Sequence, residues 1–157
     1  MARLTHPNVV SVYEVGSVTG RDYVAMELVE GETLADWLRA APRDPDEIVA
    51  AFVAAGRGLA AAHAADLVHR DFKPHNVLRH RNGRICVTDF GLARGVEHVV
   101  TKSIALKPPP SENTPSPLSE LTATGSVLGT PAYMAPEQWD GGTVGPAADQ
   151  FAFCVAL

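Results

Sequence analysis

Residues 69–76 read His69-Arg70-Asp71-Phe72-Lys73-Pro74-His75-Asn76, and residues 89–91 read Asp89-Phe90-Gly91. A third block, Gly129-Thr130-Pro131-Ala132-Tyr133-Met134-Ala135-Pro136-Glu137, follows further on. Between the first two blocks lie two short strand-like runs, Asn76 to Arg79 and Arg84 to Thr88, separated by Asn82-Gly83. Both turn residues tolerate positive φ, which predicts a hairpin. The hairpin brings Asn76 and Asp89 together, although 13 positions separate them. A merely acidic, solvated loop with a structural hairpin does not account for three such blocks in this order.

Upstream, Val9, Val10, Val12, Tyr13 and Val15 read as a strand ended by Gly16. Arg21 to Leu28 reads as its hairpin partner across Thr19-Gly20. Gly31 breaks the chain. Thr33 can cap a short helix with Asp36 in its first turn. Leu34, Trp37 and Leu38 give that helix an apolar face, with Trp37 in the core. A second helix starts with Asp44 at its N-cap, Pro45 at N1 and Glu47 at N3. Ile48, Phe52, Leu59 and His63 then recur at helical spacing, which makes His63 a hydrogen-bonded structural residue rather than a ligand. Downstream of Gly91, the stretch from Lys107 to Leu118 (KPPPSENTPSPL) carries five prolines and reads as a loop. Order is expected to return near Val127. Ala147 to Leu157 reads as the start of a buried helix.

Composition narrows the classes. The chain has 157 residues, 46% hydrophobic and 20% charged, as a globular domain does. The net charge of −5 and scattered basic residues argue against a nucleic-acid partner. The longest apolar run, Ile48 to Ala55, is far short of the roughly 18 residues of a membrane span, so no membrane segment is expected. The first ten residues, MARLTHPNVV, show no signal-peptide pattern. Cys86 and Cys154 each lie in an apolar run and read as buried free thiols in a reducing cytoplasm. The six histidines show no metal-ligand spacing with each other or with the cysteines.

Taken together, the three blocks resemble the catalytic loop, the metal-binding motif and the end of the activation segment of eukaryotic-like protein kinases. The resemblance covers essentially the whole chain. It implies an α+β, protein-kinase-like fold present in part: a small-lobe remnant over 1–26, a hinge over 27–31, and the front half of the helical large lobe over 32–157. The activation segment would run over 89–137, with a Pro-rich insert at about 107–118. Lys73 and the Gly-Thr before Ala-Pro-Glu resemble the serine/threonine class. The run APEQ with DQFAFCVAL is most similar to bacterial, and in particular myxobacterial-type, enzymes.

The resemblance implies ATP and Mg²⁺ as cofactors, and proteins with serine or threonine hydroxyls as substrates. Asp71 would act as general base and Lys73 would lie beside the γ-phosphate, with Thr130 bonded to both. Asn76 and Asp89 would ligate Mg²⁺. Met26 matches the gatekeeper, Glu27 and Val29 the hinge groups that pair with adenine, and Leu78 the apolar floor under the base. Arg70 would receive a phosphate from the activation segment, with Thr122, Thr124 and Ser126 as acceptors, modified in cis or through kinase–kinase contacts. His69, Phe90, Gly91, Glu137 and Asp149 would be structural. Asp149 would hold the catalytic-loop backbone.

The pattern also departs from the family. No glycine-rich loop, strand lysine or helix glutamate precedes the hinge, and Lys73 is the first lysine in the chain. The arginine expected to pair with Glu137 would lie beyond Leu157. Little or no activity is therefore expected of these residues alone. Two other readings remain: a non-catalytic interaction module or truncated gene product, and a small-molecule phosphotransferase.

Overall fold

The computed structural model describes residues 4–90, 131–140 and 142–157. Gly91, Thr122, Thr124, Ser126, Thr130 and the Pro-rich stretch lie outside the described residues, as does the expected return of order near Val127.

β1 (Val12–Val18) and β2 (Arg21–Met26) form an antiparallel hairpin. Thr19 and Gly20 both take positive φ, 51° and 75°, as a two-residue hairpin turn requires. Gly16 does not end the strand; it pairs with Tyr23, and β1 continues to Val18. Nor do Val9 and Val10 belong to this hairpin. They are buried against β5 (Ile85–Val87): Val9 bridges Val87, and Val10 N–H donates to Val87 O at 2.9 Å.

The second sheet has the order β3-β4-β5, with β3 at Gly31–Thr33 and β4 at Val77–His80. Gly31 starts a strand instead of breaking the chain. A Cβ there would stand 1.9 Å from the carbonyl oxygen of Arg79, so only glycine lets β3 approach β4. At the β4–β5 turn, only Gly83 takes positive φ, 89°. Gly83 N–H donates to His80 O at 2.8 Å, and Asn82 Oδ1 accepts from Arg84 N–H at 3.0 Å. The turn is thus a longer loop with glycine in the left-handed position.

Both predicted caps form. Thr33 Oγ1 accepts from Asp36 N–H at 3.1 Å and starts α1 (Leu34–Ala40). Asp44 Oδ1 accepts from Asp46 N–H at 2.8 Å and starts α2 (Pro45–Ala64). Ala51, Phe52, Ala55 and Leu59 of α2 are buried with Leu34, Trp37, Phe72, Val77, Ile85 and Val87 in one core. By length and composition alone α2 could cross a membrane, but this buried stripe is what a core helix presents.

α3 (Pro136–Trp139) and α4 (Pro146–Ala156) complete the described elements. Phe153 of α4 meets Phe52 edge-on, with ring centroids 5.7 Å apart. The burial expected of α4 holds on one face only: Ala148, Asp149 and Ala152 are buried, whereas Phe151 and Val155 are exposed. Cys86 is buried as expected; Cys154 is exposed, because it lies on the outer face of α4.

Candidate active site

Asp149 organises the loop from His69 to Asn76. Its side chain is 1% exposed. Oδ2 accepts from His69 N–H and Oδ1 from Arg70 N–H, each at 2.7 Å, and His63 Nε2 lies 2.7 Å from Oδ2. His63 is thus the structural histidine its spacing predicted. Arg70 takes φ +68°, a conformation that costs a non-glycine residue about 1–3 kcal/mol. Charge-assisted hydrogen bonds to a buried carboxylate oppose that cost.

His69 is fully buried, and its Nε2 stands 2.8 Å from Thr88 O. A carbonyl can only accept, so Nε2 carries the proton. Nδ1 then accepts from Asp71 N–H at 3.3 Å. Burial lowers the His69 pKa, against the opposing charge of Asp149 and the bond to Thr88. The ring lies 4.8 Å from Phe90 and 6.0 Å from Phe72, and Phe72 lies 5.7 Å from Phe153. One aromatic column therefore links Phe90 to the core.

Asp71 Oδ2 lies 2.8 Å from Lys73 Nζ and 3.1 Å from Asn76 Nδ2. The same Nδ2 donates to Asp71 O at 2.8 Å. With both bonds made by the amide nitrogen, Asn76 Oδ1 faces away from Asp71 as an available acceptor. Thr88 N–H donates to Asn76 O at 3.0 Å, which places Asp89 one residue from Asn76's partner. Asp89 is exposed, at φ +60°. An amide oxygen and one carboxylate suit Mg²⁺, which takes one or two carboxylates and completes its shell with phosphate and water oxygens. Among the described residues, no cluster of three or more His, Cys, Asp or Glu could hold a metal ion.

Met26 ends β2, Glu27 and Val29 follow it, and Leu78 lies on β4 opposite Thr33 and Cys86. Among the described residues, the C=O of Glu27 and the N–H of Val29 make no hydrogen bond. The Glu27 carboxylate is ion-paired with Arg84, which holds its pKa below the ordinary value.

Sequence reasoning missed two participants. Arg84 had no motif to mark it. Gln138 donates from Nε2 to Arg70 O at 2.7 Å and accepts from Ala135 N–H at 3.0 Å, tying α3 to the loop; its only signal was its place in the APEQ run. Glu137 is half-buried and, among the described residues, its side chain makes no ion pair; the same is true of Arg70.

A pinned loop carrying Asp71, Lys73 and Asn76, beside an exposed Asp89, groups a carboxylate, a cation and oxygen donors, which are the elements phosphoryl transfer calls for. The protein kinase domain family matches residues 1–157, and the chain belongs to that family. Its relatives are bacterial serine/threonine kinases. The chain is 37% identical over 158 residues to serine/threonine-protein kinase PknL of Mycobacterium tuberculosis, covering 100% of this chain and 35% of PknL. It is 36% identical over 155 residues to serine/threonine-protein kinase PrkC of Bacillus subtilis, covering 98% and 21% respectively. To serine/threonine-protein kinase PknA of Mycobacterium tuberculosis it is 36% identical over 160 residues, covering 98% and 32%. The chain thus spans about a third or less of the length of these relatives. The family uses ATP and Mg²⁺ and acts on proteins, and the α+β arrangement is the part of its fold that these residues span.

Proposed function

We propose that the chain carries the catalytic-loop and base-binding part of a serine/threonine kinase site. The observation that carries this reading is the contact of Asp71 Oδ2 with Lys73 Nζ at 2.8 Å and Asn76 Nδ2 at 3.1 Å, on a loop anchored by Asp149. A serine or threonine hydroxyl oxygen bonds to the γ-phosphorus of ATP. The bond from that phosphorus to the β–γ bridging oxygen breaks, and ADP leaves. The hydroxyl proton passes to Asp71. Lys73 supplies positive charge where the transferred phosphoryl group carries its negative charge. Asn76 Oδ1 and Asp89 would hold Mg²⁺, which would supply charge neutralisation of the phosphates. Adenine would pair with the C=O of Glu27 and the N–H of Val29 above Leu78, behind Met26. In this reading Arg70 receives a phosphate from the activation segment.

Lys73 is the first lysine of these 157 residues. Family members require a lysine–glutamate ion pair on the phosphates. Phosphotransfer by these 157 residues alone is therefore expected to be low. The test is radiolabelled transfer from ATP to a serine-rich protein, with Asp71→Asn as the control, alongside calorimetric ATP titration with and without Mg²⁺. Transfer abolished by Asp71→Asn supports the kinase reading. ATP binding strengthened by Mg²⁺ without transfer supports the site but not turnover. No binding at millimolar ATP overturns the proposed site.

A further inference from the structure

Residues 27–30 are held at both ends by the β4–β5 hairpin. At the first end, Glu27 pairs with Arg84 through Oε1, and its Oε2 accepts from Ser11 N–H at 3.3 Å. Glu27 N–H donates in turn to Ser11 O at 2.8 Å. At the other end, Arg81 N–H donates to Glu30 O at 3.0 Å, and the Arg81 guanidinium lies 3.7 Å from the Glu30 carboxylate. The two pairs differ in setting. Glu30 and Arg81 are exposed, so their ion pair contributes little. The Glu27 and Arg84 side chains are 21% and 33% exposed, and Glu27 also bonds the β1 side of the small sheet. One carboxylate thus joins three segments: the entry to β1, the segment after β2, and the start of β5.

The geometry points to Glu27 and Arg84 as positioning residues for nucleotide recognition: the hairpin clamps segment 27–30 so that the Glu27 C=O and Val29 N–H stand at a fixed spacing. This rests on the proposal that this segment binds adenine. The two groups lie between the clamped ends, while Leu28 between them is 84% exposed and has no packing of its own to hold it. A clamp at the ends replaces packing in the middle. Two hydrogen bonds to one planar base need both groups in register, so a loosened end weakens both. Arg84 immediately precedes β5, whose last residue Val87 leads through Thr88 to Asp89. The same hairpin therefore positions the base-binding segment and the metal-binding aspartate.

The test uses the whole chain and the variants Arg84→Gln, Arg84→Lys and Glu27→Gln. The first readout is amide exchange at Glu27 and Arg81, with Val87 as a core reference. Arg84→Gln is expected to speed exchange at Glu27 about tenfold while Val87 is unchanged, and Arg84→Lys to restore most of the protection. The second readout is ATP affinity with Mg²⁺, expected to weaken about three- to tenfold in Arg84→Gln and Glu27→Gln but to stay within about twofold in Arg84→Lys. Unchanged exchange at Glu27, or ATP affinity that is equal in wild type and Arg84→Gln, overturns the clamp. If wild type binds no ATP, the adenine reading falls, and the exchange measurement alone decides whether the hairpin holds this segment.

Discussion

Gln138 of α3 donates its Nε2 hydrogen to the carbonyl oxygen of Arg70 at 2.7 Å, across 68 positions of sequence. Its Oε1 meanwhile accepts from Ala135 N–H at 3.0 Å. Gln138→Ala removes both bonds, and a loss of about 0.5–1.5 kcal/mol is expected. Gln138→Glu keeps the acceptor for Ala135 but sets a carboxylate against the Arg70 carbonyl, so it should be at least as destabilising. Urea unfolding of the two variants checks the order. A Gln138→Glu variant as stable as wild type would show that the Arg70 contact contributes nothing.

Asp149 accepts three hydrogen bonds while 1% exposed. Asp149→Asn removes the charge and turns one acceptor oxygen into a donor that faces a donor. A loss of about 3 kcal/mol or more is expected. His63→Ala removes one of the three partners and leaves both backbone bonds, so it should cost less. Equilibrium unfolding that ranks His63→Ala as the worse of the two would contradict this anchoring scheme.

His69 gives a pH prediction with a definite sign. Burial lowers its pKa below the ordinary value of 6.5, so the unfolded chain takes up a proton at a pH where the folded chain does not. The stability from the neutral buried ring is complete above about pH 6.5 and declines as pH falls below that toward the lowered value. Its slope approaches about 1.4 kcal/mol per pH unit. Glu27 also has a lowered pKa, through Arg84, but its loss sets in at lower pH, as the pH approaches the ordinary value of 4.5. Unfolding is therefore measured from pH 7 to pH 5, mostly above the range of the shifted carboxylates. His69→Gln should flatten the profile in that window, and an unchanged slope would assign the dependence elsewhere.

Two neighbours on α2 separate core from surface. Phe52 is 1% exposed and touches Phe153, while Val53 is 45% exposed. Phe52→Ala should cost about 3–5 kcal/mol. Val53→Ala should stay within about 0.5 kcal/mol. Similar losses in a thermal melt would mean that α2 is turned relative to the core.

What could be read in the chain follows the range of the forces involved. The caps at Thr33 and Asp44 bond to N–H groups three and two residues away, and both were legible. Asp71, Lys73 and Asn76 meet within one loop, so their grouping was also local. Gly31–Thr33 is not legible as a strand because three residues carry no periodicity, and the partner β4 is distant in sequence. Asn82 kept an ordinary φ because its side chain, rather than its backbone, closes the turn to Arg84. Arg84 and Gln138 act across 57 and 68 positions, where only the folded chain shows their partners.

The anchor of the loop from His69 to Asn76 has a consequence for timing. His69 and Arg70 are bonded to a residue 80 and 79 positions later in the chain. On a ribosome adding about 5–20 residues per second, roughly 4–16 s pass before that residue is made. Until then the His69 and Arg70 N–H groups lack their carboxylate, and of the contacts described only Gln138, made eleven residues earlier, can reach Arg70 from downstream. The bonds from His69 and Arg70 to Asp149 thus form only when α4 docks, whatever order the sheets and α2 follow. In pulse-labelled refolding, the amides of His69 and Arg70 should gain protection together with those of α4. Protection of the loop before α4 would mean that another contact shapes it first.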